Sequence, residues 1–393
     1  MELLSRANAL ARQLVETRRD FHSHPELAFQ ETRTAARVAD RLRELGYTVR
    51  TNVGVTGCTG ELKNGAGRTI ALRADMDALP IQEANDVPYR SLNSGVMHAC
   101  GHDAHTTCLL GAAQLLAESA KAGSLPRGRL RLIFQPSEET TDAENLGGAT
   151  RMMADGALED VDAVIGLHVA SESPVGQVLF REGPLMAGCD TLFGTVRGSN
   201  AHAALPHEGH DAILLASHVI LAVQAIVSRR VDPLEPSVIT FGVIKGGTAE
   251  NILCSEVQLE GTLRYFSRAV QQRLHNELRH AFAVADTLGG AGTIDIRPVN
   301  PPLVNDAALT ALVRSAARSV IGDSAVREAN LIMGAEDFAH FAQQVPGCFF
   351  WLGAGIAGDP RSHHSPRFDI DERCLPTGAA VLAAAATRAL AEW

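Results

Sequence analysis

Thr191-Leu192-Phe193-Gly194-Thr195-Val196-Arg197 opens the stretch that decides the fold. It reads as a strand. A helical segment follows over Asp211–Ser228, then strands over Ser237–Ile244 and Glu256–Tyr265, a second helical segment over Arg268–Leu288 and a strand over Thr293–Pro298. The order β-α-β-β-α-β is that of the split βαβ unit, a four-stranded sheet backed by two helices. Turn residues bound it, Glu182-Gly183-Pro184 before and Asn300-Pro301-Pro302 after.

Outside this stretch the pattern is that of an α/β protein. Helical segments over Leu3–Asp20, Thr32–Leu45 and Ala104–Ala122 alternate with strand-like runs at Thr48–Asn52, Thr69–Leu72, Arg129–Phe134 and Val161–His168. Alternation of this kind predicts a parallel or mixed sheet covered by helices, with functional loops at the carboxyl ends of strands. Strand character resumes at Cys348–Leu352, so a large domain is expected to be interrupted by the small one.

Bulk properties agree with two domains. The chain has 393 residues, 46% of them hydrophobic and 20% charged, more than one core usually fills. A formal net charge of -10 without a basic tract argues against nucleic-acid binding. Seven cysteines, odd in number and widely spread, suggest reduced thiols in a cytoplasm. The N-terminal stretch through Phe21 alternates apolar and charged residues and is expected to be an amphipathic helix, neither signal peptide nor transit sequence. No apolar run is expected to reach the roughly 20 residues of a membrane span.

Chemistry concentrates in a few segments. His98-Ala99-Cys100-Gly101-His102-Asp103 places a thiol and two imidazoles beside a carboxylate, the groups that hold a transition metal, with Gly101 free to adopt angles other residues resist. Most of the other segments follow predicted strands: Glu138-Glu139, His168, Asp75 and Asp77, and His363-His364 beyond a glycine-rich loop. Metal-assisted hydrolysis needs neutral imidazoles, carboxylates or thiolates as ligands and a further carboxylate to shuttle the proton. The adjacent pair Glu138-Glu139 suits both needs if the side chains diverge. Taken singly, each residue could equally be a core or surface group, and Cys100 could also serve as a nucleophile; their joint occurrence favours a site. Gly353-Ala354-Gly355-Ile356-Ala357-Gly358 matches the dinucleotide fingerprint literally, but Asp359-Pro360 stops any helix that would receive a phosphate.

Read together, the segments resemble the two-domain, usually dinuclear metal amidohydrolases that include hippurate hydrolases, indole-acetyl-amino-acid hydrolases and aminoacylase-type carboxypeptidases. The resemblance runs through Phe21–Glu31, Arg73–Pro80, His98–Thr106, Phe134–Glu139, Leu167–Val169, Ala201–His207, Gly247–Asn251, Gly261–Arg264, Gly334–Phe338 and His363–Phe368. It implies an α/β catalytic domain with a mixed sheet sandwiched by helices, over residues 1–185 and 300–393. A ferredoxin-like dimerisation and lid domain is implied over residues 186–299.

The resemblance also implies roles. Cys100, His102, Glu139, His168 and His364 look like ligands of two divalent ions, with Cys100 bridging; zinc or manganese is expected, and cobalt or nickel would be tolerated. Glu138 looks like the general base and later acid, and Asp77 like the carboxylate that orients the site. His202 is similar to a histidine that reaches the other subunit's active site in a homodimer and stabilises the oxyanion. Asn251 and Arg264 sit where family members contact the substrate's carbonyl or carboxylate. The implied reaction is hydrolysis of an N-acyl or N-aroyl amino acid by metal-activated water, with no nucleic-acid or membrane partner. A dipeptidase or carboxypeptidase using the same site is the alternative, and a non-catalytic metal-binding scaffold protein a remoter one. Three departures from the family pattern bear on substrate identity: Thr140–Asn145 before Gly147, Asn200 before Ala201-His202, and Ile252–Ser255 after Asn251.

Overall fold

Strand Thr69–Asp75 is buried along its whole length, as a strand must be when helices cover both faces of its sheet. In the computed structural model, which describes residues 2–393, it lies fourth in an eight-stranded mixed sheet. The order is Thr48–Val53, Gly57–Asn64, Gly128–Gln135, Thr69–Asp75, Ala163–Pro174, Gly347–Gly355, Val178–Phe180 and Val326–Glu328. The four strands from Gly128–Gln135 to Gly347–Gly355 run parallel, and the flanking pairings around Gly57–Asn64 are antiparallel.

Helices His102–Lys121 and Leu375–Glu392 pack on this sheet through a core of Leu109, Leu116, Ala383 and Leu390 against Leu72, Leu132 and Ile165. Their close approach depends on small residues. A Cβ on Gly111 would meet Ala379 Cβ at 2.8 Å and Leu14 Cδ2 at 2.9 Å, so only glycine lets these helices touch. These elements belong to one unit made of residues 2–185, 304–330 and 337–393.

The second unit, Met186–Leu303 with Leu331–Glu336, carries a four-stranded antiparallel sheet in the order Ala291–Asn300, Gly188–Arg197, Glu256–Tyr265, Val238–Gly246. Helices Ala212–Arg230 and Arg268–Phe282 bury Leu215, Val219, Leu274 and Leu278 against Leu192, Val196 and Leu259. Each helix starts on a side-chain cap: Asp211 accepts from Ile213 N–H and Ser267 from Val270 N–H. This is the ferredoxin-like arrangement that the element order predicts.

Several expectations need correction. The first helix is two, Glu2–Ala9 and Ala11–Ser23, broken at Leu10, and nothing local in the sequence explains the break. A strand at Gly57–Asn64 had no sequence expectation. Helix Arg268–Leu288 divides at Ala283 into Arg268–Phe282 and Val284–Thr287. Leu331–Glu336 groups with the smaller unit although it lies in a stretch assigned to the larger. Among the described residues two helices, Ala212–Arg230 and Glu372–Glu392, are long and apolar enough by length and composition to cross a membrane. The second is a core helix, with 83% of its apolar window buried inside the protein.

Candidate metal centre

Gly101 is where the helix that carries the site begins. It adopts φ +95° just before His102, the first residue of helix His102–Lys121, which starts two residues earlier than the periodicity suggests. Cys100 and His102 therefore flank a left-handed turn. His168 is also placed differently from expectation, within strand Ala163–Pro174 rather than at its end.

Hydrogen bonds fix which imidazole nitrogens are free. His102 Nδ1 lies 2.9 Å from the Asp77 carbonyl and 3.2 Å from Asp77 Oδ1; both oxygens only accept, so Nδ1 carries the proton. His102 Nε2 is left buried without a partner. His168 Nδ1 donates to the Val169 carbonyl at 2.7 Å, which turns its Nε2 toward Cys100 Sγ, 3.4 Å away. His364, held at φ +60° by its N–H bond to the Ala99 carbonyl, brings Nε2 to 3.1 Å from Glu139 Oε1.

Five three-donor groups occur among the described residues, and two of them share Cys100: Cys100/His102/His168 and Cys100/Glu139/His364, each with its donor atoms within 4.8 Å of one another. Atoms sharing one tetrahedral ion at bond lengths of about 2.0–2.3 Å stand roughly 3.3–3.8 Å apart. The donor set of one thiol, three imidazoles and a carboxylate suits a late first-row divalent cation, and Cys100 belongs to both groups. The orphaned His102 Nε2 is the atom such an ion would satisfy. Burial, then the neighbouring imidazoles, hold His168 well below its ordinary range, so its ring is a neutral donor. Burial and the adjacent carboxylates push the Cys100 thiol well up, the state a cation must overcome to bind thiolate.

The glutamate pair is set by its neighbours' backbone. Ser137, two residues beyond the strand Gly128–Gln135, has a φ of +47°. Its N–H donates to Glu31 Oε1 at 2.9 Å, while the Glu139 N–H donates to Asp77 Oδ2 at 3.0 Å. Glu138 Oε1 accepts from the Asp337 N–H at 3.4 Å, and its Oε2 lies 4.0 Å from His102 Nε2. Asp77 thus touches both His102 and the backbone of Glu139. Burial would lift its carboxyl, but the bond from His102 and the backbone N–H groups hold it low. The departing segment Thr140–Asn145 is a closed turn: Asp142 accepts from the Glu144 and Leu146 N–H groups and from Arg151.

The sequence reading gave no role to several buried partners. His105 accepts from the Val169 N–H at Nε2, 2.9 Å, and donates through Nδ1 to Asp75 at 2.6 Å; Asp75 also binds Arg73 at 2.7 Å. His105 therefore ties the strand beside His168 to the sheet's centre. The signal was present, since His102 and His105 share a helix face at a spacing of three. Asp103 turns away, accepting from Arg18 at 2.8 Å and His22 at 2.7 Å. His98 is buried with neither ring nitrogen partnered, and His363 Nδ1 lies 3.8 Å from Cys100 Sγ.

His202, Asn251 and Arg264 belong to the smaller unit. There His202 and Asn251 are exposed on paired loops: His202 bridges Ile252, and the Ala203 N–H donates to the Asn251 carbonyl at 3.0 Å. Arg264 is half-buried on strand Glu256–Tyr265, opposite Cys189.

Comparison with known proteins places these residues in context. The family described as peptidase family M20/M25/M40 matches residues 71–388. An N-acetyl-L-cysteine deacetylase of Bacillus subtilis is 41% identical over 94% of this chain and 86% of its own. An IAA-amino acid hydrolase of Arabidopsis thaliana is 39% identical over 99% and 88%. Among solved structures, a Bacillus subtilis protein described as a dinuclear metal binding peptidase of the M20 family superposes with a TM-score of 0.85 at 31% identity, covering 98% of this chain and 100% of that one.

Proposed function

The chain belongs to peptidase family M20/M25/M40, and from that membership we propose that it hydrolyses the amide bond of an N-acyl or N-aroyl amino acid to a carboxylate and a free amino acid. The observation that carries the reading is the carboxylate of Glu138, 4.0 Å from the orphaned His102 Nε2, beside two donor groups that share Cys100. One similar protein is named for removing acetyl from an N-acetylated amino acid and another for hydrolysing IAA-amino acids, which supports this substrate class; a carboxypeptidase of Saccharolobus solfataricus, 38% identical, keeps the peptidase reading as the alternative.

In this reading Cys100, His102, Glu139, His168 and His364 hold two divalent cations, zinc or manganese. Cations bound there polarise a carbonyl and lower the pKa of water. Glu138 takes a proton from the attacking water as the oxygen–carbon bond forms, then returns it to the amine nitrogen as the carbon–nitrogen bond breaks. Asp77 keeps the proton of His102 on Nδ1 and so its Nε2 lone pair available. His202 from a partner chain stabilises the oxyanion, and Asn251 and Arg264 receive the substrate's carbonyl or carboxylate.

A homodimer through the smaller unit follows from the role given to His202. Support comes from exposed apolar residues there, Ile213 at 52%, Leu221 at 68% and Ile244 at 60%, and from Val238–Gly246 being an edge strand, a surface proteins usually cover. The seven free cysteines support a reducing compartment, for which we propose the cytoplasm.

The test is a mass-spectrometric screen of N-acyl amino acids against dipeptides, with zinc- and manganese-loaded protein. Faster release from N-acyl amino acids is expected. A preference for dipeptides would favour the peptidase reading, and no turnover with any metal the scaffold reading.

A further inference from the structure

The segment Phe21–Glu31 has so far received no role in catalysis, yet its last residue lies directly under the glutamate pair. Glu31 is fully buried, 0% exposed. Its Oε1 accepts from the Phe29 N–H at 3.0 Å and from the Ser137 N–H at 2.9 Å, and its Oε2 from the hydroxyl of Thr56. Although Glu31 precedes helix Thr32–Leu45, its side chain makes no cap bond to that helix. Its carboxylate is spent on a loop 106 residues away.

That loop is held in an unfavourable conformation. Ser137 sits at φ +47°, a left-handed angle that strains a residue with a Cβ and persists only where the surroundings dictate it. The surroundings here are tight. The Gly148 N–H donates to the Ser137 carbonyl at 2.9 Å, and a Cβ on Gly148 would stand 1.6 Å from the Pro136 carbonyl oxygen. The Ser137 hydroxyl donates to the Thr140 carbonyl at 2.8 Å. Every polar group of Ser137 is therefore engaged, and Glu31 supplies the partner for its N–H.

We propose that Glu31 is a positioning residue for Glu138: by holding the Ser137 N–H it keeps the left-handed turn that brings the Glu138 carboxylate to 4.0 Å from His102 Nε2, beside that of Glu139. The inference rests on the proposed role of Glu138. Burial, then the nearby Asp77, push the Glu31 carboxyl up to about 7, so an amide at this position mimics a form the native side chain already adopts.

The experiment compares Glu31→Ala, Glu31→Gln and Glu138→Gln with the parent, all zinc-loaded, on the N-acyl amino acid that the parent turns over fastest. Displacement of a reacting group by about 1 Å costs up to roughly a hundredfold in rate. Glu31→Ala is expected to lower kcat about ten- to hundredfold with KM within about threefold and metal content unchanged. Glu31→Gln, which keeps an acceptor for Ser137 and an N–H for Thr56, should stay within about threefold of the parent. Should Glu31→Ala not fold, Glu31→Asp, which keeps the charge and loses the reach, should show the same fall in kcat. Parental kcat in Glu31→Ala or Glu31→Asp, or equal losses in Glu31→Gln and Glu31→Ala, would overturn the positioning role. An active parent with an active Glu138→Gln would instead overturn the role of Glu138 itself.

Discussion

Replacing Gly101 by alanine perturbs the turn between Cys100 and His102 in two ways that can be sized from the structure. At φ +95° a Cβ costs about 1–2 kcal/mol in backbone strain. That Cβ would also stand 2.3 Å from Val169 Cγ2, far inside the roughly 3.5–4.0 Å of an ordinary carbon contact. Val169 cannot easily retreat, because its N–H is bonded to His105 Nε2 and its carbonyl to His168 Nδ1. Overpacking of a buried site costs about 1–3 kcal/mol, which brings the expected loss to about 2–5 kcal/mol. The displacement then falls on the turn itself, so zinc affinity should drop at least about tenfold as Cys100 and His102 part. Urea unfolding measures the first quantity and calorimetric zinc titration the second. A Gly101→Ala protein within about 0.5 kcal/mol of the parent, with parental zinc affinity, would refute the reasoning.

Two further outcomes follow from buried groups elsewhere. Arg18, 0% exposed, donates to Asp103 at 2.8 Å and Asp369 at 2.9 Å; Arg18→Met takes the buried cation from two carboxylates, which keep only His22 and Tyr89 as side-chain donors, and should cost about 3–5 kcal/mol in urea unfolding at neutral pH. A loss below about 1 kcal/mol would mean the carboxylates find other partners. The three tyrosines should be silent in a spectrophotometric titration at pH about 10, where free phenols ionise. Burial, then Asp369, pushes Tyr89 up to about 12, and burial pushes Tyr47 and Tyr265 up as well. Because the folded values exceed the unfolded one, the neutral phenols cost no stability below pH about 10, and stability is lost as pH rises beyond it. Phenolate absorbance should therefore appear together with unfolding; a reversible midpoint near pH 10 in folded protein would contradict the burial.

What the sequence disclosed depended on whether the signal was local. The inserted unit was legible because each of its six elements has its own period and its boundaries carry glycine and proline. Strand Gly57–Asn64 was not, since Gly57, Gly60 and Asn64 read as turn residues, and only pairing with Gly128–Gln135 makes it a strand. Helix His102–Lys121 starts early because a left-handed Gly101, invisible to periodicity, turns the chain there. At the site, Cys100, His102, Glu138, Glu139, His168 and His364 could be nominated from side-chain chemistry, and they converge. Glu31, Asp75, His105 and Arg18 were illegible in role, because a buried polar side chain is defined by partners such as Ser137 or Val169 that are distant in sequence.

The most direct measurement is the turnover of Glu138→Gln beside its bound metal, determined on the same sample by elemental analysis. Loss of a general acid and base lowers the rate about 10²–10⁴-fold, and no donor atom of the two groups that share Cys100 is removed. Metal content equal to the parent's is expected, with turnover reduced to that extent. Parental turnover at full metal content would contradict it.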